Sequence, residues 1–324
     1  MNKGKVYLRG GNFINRYRID GILTTRSPIH IGSGGDTKRT GCIKPSQDGE
    51  PAEQVAISAV ITDFQQKPYL PGSSIRGNLR HWLLQLFKSS VGSRNTHEIA
   101  YANEGKELDE QVEKWAKKKK MTSYSDQDKE IAFVKKEASL LERLFGTNLA
   151  ATKVDFWDAY HIPASVPIQS SALPPEDQAP FWSSQRLTYV SQSVAIDPNT
   201  QTAMDKRLYH FELVPKGIKF GITISGKNLT SEELGLLLFA LEGFNSSIFP
   251  VTLGSMIGRG FGQLDFELGD IYCLLSEDRD NWVKAVLNDD RAGFENLKKL
   301  PYDKKIQTIM DSKYAFLKLT GVGA

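Results

Sequence analysis

Apolar and polar residues alternate through "RYRIDGILTT" (16–25), with Tyr17, Ile19 and, past Gly21, Ile22 between polar neighbours, and this period of two predicts a first strand. "VAISAVI" (55–61) predicts a second. At 74–88 the period becomes helical: Ile75, Leu79, Trp82, Leu83, Leu86 and Phe87 fall on one stripe, while Arg76 and Arg80 lie one turn apart on another face. A further helix is expected from about 127 to 145, on Ile131, Val134, Ala138, Leu141, Leu144 and Phe145, with Gly146 as its stop. "VDFWDAY" (154–160) predicts a strand. "LYHFELVPKGIKFGITISG" (208–226) predicts a hairpin about a Pro-Lys-Gly turn, Tyr209, Phe211 and Leu213 alternating before it and Phe220, Ile222 and Ile224 after it. "LTSEELGLLLFALEGF" (229–244) predicts a helix opened by a capping box of Thr230 and Glu233 and closed at Gly243. The glycine-rich "GSMIGRGFG" then leads into a strand with Leu264, Phe266 and Leu268 inward, and 276–320 reads as helical and amphipathic.

The order strand, helix, paired strands, helix, strand predicts an α+β fold: a ferredoxin-like (RRM-like) βαββαβ palm over 1–275, with 276–324 as a helical extension. Two stretches interrupt the palm. Residues 89–150 are dense in charge of both signs and hold the run Lys117–Lys120, which reads either as an RNA contact or as a solvated helix face. Residues 162–203 are poor in charge and rich in proline, and their aromatic residues Phe181, Trp182 and Tyr189 predict a projecting functional loop rather than a disordered one.

At 324 residues the chain is long enough to bury a large core unaided. Its two cysteines exclude a disulfide framework and a cysteine-rich zinc site. With no signal-peptide core and no long apolar run, a soluble, cytoplasmic protein with no membrane partner is expected. Net charge is only +3, but residues 1–95 set fourteen Lys/Arg against six Asp/Glu, a local +8 that leaves −5 for the rest. A basic lobe on a nearly neutral chain points to a polyanion.

The candidate chemistry follows that lobe. "PYLPGSSIRGNLR" (68–80) places Gly72, Ser73 and Ser74 at a helix start, where Ser73 or Ser74 is expected to cap and free N–H groups together with Arg76 and Arg80 suit phosphate. "SPIHIGSGGDTKRTG" (27–41) is a glycine loop able to approach a ligand closely. The five histidines (30, 81, 97, 161 and 210) show no metal-ligand spacing, and His30, between a strand and that loop, is the one of interest. "GSMIGRGFG" precedes a strand instead of opening a helix, which excludes a dinucleotide or P-loop fingerprint.

In combination and order, "SPIHIGSG", "PYLPGSSIRGNLR", "LERLFG", "VDFWDAY", "AIDPNTQTAMDKRLYHFELVPKG" and "GSMIGRGFGQLDFEL" resemble the RAMP superfamily of CRISPR-associated proteins, over about 16–268. The pattern is similar to the backbone subunits of type III effector complexes. The resemblance implies a palm crossed by RNA and a thumb at 162–203. It also implies crRNA guide and target RNA as ligands. The expected protein partners are related RAMP subunits, a large polymerase-like subunit and small helical subunits, acting together in antiviral defence. The implied RNA-binding set is His30, Gly32, Ser33, Lys38, Arg39, Gly72, Ser73, Ser74, Arg76, Arg80, Gly258, Arg259 and Gly260. The implied thumb residues are Phe181, Trp182, Arg186 and Tyr189. Catalytic relatives carry an aspartate before the "PGSS" helix; here the aligned position falls near Ile57, Asp63 matches a structural acid, and Asp36, Asp48 and, as a base, His30 are the candidates. A cutting subunit would act by 2′-OH attack, with a divalent Mg or Mn ion if metal-assisted. A non-cutting scaffold subunit would need no cofactor, and a stand-alone endonuclease processing precursor RNA is the alternative.

Overall fold

β1 (Asn15–Thr25) is the central strand of the larger sheet in a computed structural model of the chain. The structure describes residues 13–39, 55–87, 99–100, 106–119, 129, 133–134, 136–149, 151–163, 182–183, 185–196, 201–288 and 298–320. Along β1, Ile19 and Leu23 are buried and Arg16 and Arg18 exposed, the alternation expected of a strand with one covered face. β10 (Leu264–Leu275) pairs antiparallel on one side of β1 and β9 (Lys219–Lys227) on the other. β5 (Val154–Phe156) and β6 (Ala159–His161) both pair β9, β4 (Tyr69–Leu70) pairs β6, and β11 (Lys298–Lys299) pairs β10. The order is β11-β10-β1-β9-β6-β4. A second sheet, β2-β3-β8-β7, joins β2 (Gly32–Arg39), β3 (Val55–Val60), β8 (Ala203–Leu213) and β7 (Tyr189–Ile196), antiparallel except between β3 and β8. The fold is therefore mixed α+β.

One core holds the larger sheet to its helices. Ile75, Leu79 and Leu83 of α1 (Gly72–Phe87) and Leu237 and Leu241 of α4 (Ser231–Glu242) join Ile19, Leu23, Ile222 and Ile224 of the sheet. Truncating one such leucine to alanine would cost about 2–5 kcal/mol. α4 starts as its sequence predicts: Thr230 and Glu233 cap reciprocally, and the fully buried Glu233 also takes Lys153 at 2.8 Å. α6 (Tyr302–Thr320) lies against α4 so closely that a Cβ on Gly235 would sit 2.1 Å from the Ser312 carbonyl oxygen.

Several expected elements change on folding. Within the glycine stretch 27–41, residues 32–39 form β2 in place of a loop, paired with β3 at Gly32 and again from Asp36 to Arg39 with an irregularity between. The 208–226 segment is not a hairpin: β8 pairs β7 and β3, β9 pairs β1, and the Pro-Lys-Gly turn carries the chain from one sheet to the other. "VDFWDAY" is split into β5 and β6 by Trp157 and Asp158. The long helix to 145 breaks at Ser139, whose own capping box with Glu142 starts α3 (Leu140–Phe145). Val134 and Ala138 instead join Leu108 and Val112, the latter two from α2 (Lys106–Lys119), in a satellite core within the charged insertion. Lys117 and Lys118 are exposed at the end of α2, and Lys120 lies outside the described residues. In the C-terminal extension, α5 (Arg279–Leu287) and α6 are joined across the short strand β11. Of the expected thumb, Phe181 lies outside the described residues, Trp182 packs against the main core, and Tyr189 begins β7. No helix among the described residues is long and apolar enough to cross a membrane.

Candidate nucleic-acid interface

The start of α1 is closed by its own chain. Asp158, from the break between β5 and β6, accepts the Gly72 amide at 2.8 Å, so the cap is Asp158 and neither Ser73 nor Ser74. The amides of Ser74 and Ile75 donate to the Pro71 carbonyl at 2.9 and 3.1 Å. A Cβ at Gly72 would lie 2.2 Å from the Phe156 carbonyl oxygen, which is why glycine stands there. Arg76 turns inward and donates to the Phe145 carbonyl that ends α3. Burial, and then repulsion from Arg80, hold its pKa below the usual arginine value, with Asp155 partly offsetting them. Ser73 is exposed, and Arg80 is half-buried. An open hollow of about 750 Å³ beside this helix start is lined by Trp157, Asp158, Tyr160 and His161, and its carboxylate disfavours a phosphate there.

His30 is also an internal group. It is 3% exposed; Nδ1 donates to the Glu212 carbonyl at 2.7 Å, which leaves Nε2 to accept from Ser58 Oγ at 3.3 Å. It is thus not presented to an RNA strand as a base. Glu212 itself is fully buried and accepts from Arg186, from Thr188 Oγ1 at 2.6 Å and from the Val60 amide at 3.0 Å. Burial pushes this carboxyl up, and those hydrogen bonds outweigh it, holding the pKa below the usual glutamate value. Arg186, expected in the thumb, therefore ties β8 to the turn before β7 instead of reaching outward, and it donates to Gln66 as well.

The loop 254–262 is built differently. Gly254, Gly260 and Gly262 have φ of +89°, +83° and +86°, the left-handed region that glycine alone occupies without strain. Ser255 N–H donates to the His30 carbonyl and Gly262 N–H to the Pro28 carbonyl, both at 2.9 Å, so the loop is pinned along the β1–β2 connection. Between these anchors Gly258, Arg259 and Gly260 are exposed, and a Cβ on either glycine would meet nothing within 4 Å. Arg259 Nη1 donates to Ser193 Oγ at 2.9 Å, and the guanidinium carbon lies 5.6 Å from the centroid of the Phe211 ring. Phe211 in turn lies beside Tyr209, with centroids 6.4 Å apart and planes within 21°.

Folding thus brings together residues far apart in the chain. Gly258, Arg259 and Gly260 come to the connection that holds His30, and β2 carries Gly32, Ser33, Asp36, Lys38 and Arg39 alongside β3, with Asp36, Lys38 and Arg39 at the register of Ser58, Ala56 and Val55. Asp48 lies outside the described residues. Gly72 to Arg80 form a separate region on α1. Tyr209, Phe211 and Asp158 escaped the sequence reading; the alternation of Tyr209, Phe211 and Leu213 marked a strand, yet only Leu213 is fully buried. Among the described residues no three histidine, cysteine or carboxylate side chains gather as a metal site. In comparison with known proteins, the family model of the RAMP superfamily matches residues 22–265. No curated protein matches the chain.

Proposed function

The chain belongs to the RAMP superfamily, which is associated with CRISPR RNA-binding effector complexes, and from that premise we propose that it is a guide- and target-RNA-binding subunit of a type III complex. The observation that carries this reading is the open loop 258–260, with Arg259 fixed at the surface on Ser193 of β7 and Phe211 of β8. A guanidinium held ready on two neighbours loses little freedom on meeting a phosphate, and contacts of that kind hold a backbone without reading its sequence. Base pairing between guide and target then supplies the specificity. Ser73 and Arg80 contribute a second, weaker phosphate contact, while Arg76 is held inward by Phe145. The strand order β10-β1-β9-β6, with α1 and α4 as the two crossovers, supports a ferredoxin-like palm.

Cleavage is part of the proposal. Asp36, or Asp48 in its place, takes the proton of a target 2′-OH; the freed oxygen attacks the adjacent phosphorus, and the 5′-oxygen of the next nucleotide leaves. The buried His30 does not favour the stand-alone processing enzyme. The complex assembled with Asp36→Asn, given a matched target, is expected to lose one cut of the ladder and keep its binding. An unchanged ladder removes Asp36 from this role. Failure of the chain to join a guide-bearing complex would overturn the reading as a whole.

A further inference from the structure

The outer row of the second sheet has an unusual exposure. On β8, Leu213 is fully buried, Phe211 is partly covered, and Tyr209 is 47% exposed, although all three project on the same face. Their cross-strand neighbours explain how the rings stay open. Ser193 stands opposite Tyr209 and Ser191 opposite Phe211 in the β7–β8 register, and neither is large enough to cover a ring. Next to this row stands Arg259, bonded to Ser193 Oγ and lying over Phe211, with only glycines beside it in sequence. The row therefore consists of two nearly parallel rings, one solvent-facing, and a planar cation.

We infer that Tyr209 and Phe211, with Arg259 beside them, form a stacking platform that seats an unpaired base of single-stranded RNA while Arg259 holds the neighbouring phosphate. This rests on the RNA-binding reading above and adds a base-contacting site to it. An aromatic side chain offers a wide, stiff face with few rotatable bonds, and every base has a matching face. A guanidinium adjoining that face favours an anionic strand over a cationic peptide. The neighbouring glycines leave the space that a ribose requires.

The full chain and its Tyr209→Ala, Tyr209→Trp and Arg259→Ala variants would be titrated into fluorescein-labelled oligo(A), oligo(U) and abasic strands of equal length. A second oligo(A) strand would carry a fluorescent adenine analogue. Stacking predicts quenching of the analogue by the native chain and a preference for oligo(A) over the abasic strand. Tyr209→Ala is then expected to weaken oligo(A) binding about tenfold and lose the quenching, to bind the abasic strand as before, and to be rescued by Tyr209→Trp. Arg259→Ala is expected to weaken all three strands alike. If the native chain binds RNA and Tyr209→Ala binds oligo(A) just as tightly, the platform is wrong while the RNA reading stands. If the native chain binds none of the strands at low salt, the RNA reading has failed, and the platform with it.

Discussion

The start of α1 and the loop 254–262 carry similar residue types, glycine with serine and arginine, and the fold treats them oppositely. At α1 the Gly72 amide is capped by Asp158, those of Ser74 and Ile75 bond to Pro71, and Arg76 bonds to the end of α3. In the loop, bonds to the β1–β2 connection lie at its two ends, the Arg259 and Gly260 amides bond within the loop to Met256 and Ile257, and the Arg259 side chain lies at the surface on Ser193. Polar groups near a basic helix start therefore do not by themselves make an anion site. What matters is where the guanidinium goes: Arg76 turns inward to the end of α3, while Arg259 stays at the surface on Ser193 and Phe211.

The largest effect expected of a single change lies in the internal network. Glu212→Ala leaves Arg186, 16% exposed, beside an empty buried site, and should cost about 3–5 kcal/mol in denaturant unfolding. The pH dependence has a definite sign. With the Glu212 pKa depressed in the folded state, its contribution is complete above the ordinary glutamate range and is lost as pH falls through the folded value. The native chain should therefore lose more stability than Glu212→Gln on acidification below about pH 4. Next comes Gly72→Ala, which drives a methyl into the Phe156 carbonyl; it should cost about 3 kcal/mol and show as a lowered melting temperature. Its counterpart Gly258→Ala meets nothing and should melt within about 1 kcal/mol of the native chain.

Arg259→Ala should weaken binding of single-stranded RNA about tenfold and reduce the slope of log affinity against log salt by about one. Arg76→Ala should change that slope less and stability more, since it removes a contact to α3. The smallest effect belongs to Asp158→Ala, which removes the cap from α1 and should cost about 1 kcal/mol while leaving RNA affinity within about twofold. A large gain in affinity for that variant would mean that the α1 start is a masked phosphate site, and the contrast between the two regions would be gone.

Elements with a strong local signal were readable from the sequence. β1, β3 and α1 follow from their period and α4 from its period and capping box, because an alternation, a helical stripe and the Thr230–Glu233 box act within a few positions. The glycines of 32–35 read as a loop because glycine weakens a strand locally, yet pairing of Gly32 and of Asp36 to Arg39 with β3 carries the strand across an irregularity between them. The Pro-Lys-Gly turn read as a hairpin because local sequence cannot say which sheet each arm will join. In the site, the glycine loop and its arginine were legible as a group. Asp158 was not, because it reaches Gly72 across 86 positions, and neither was the exposure of Tyr209, which is set by the serines opposite it.

Photo-cross-linking of thiouridine-containing single-stranded RNA to the full chain, with the attached peptides identified by mass spectrometry, puts the contrast to its most direct test. Cross-links on the segments around Tyr209 and Phe211 and around Arg259, more abundant than any on residues 72–80, are the expected result. Cross-links concentrated on 72–80, with none on β8 or the glycine loop, would contradict it.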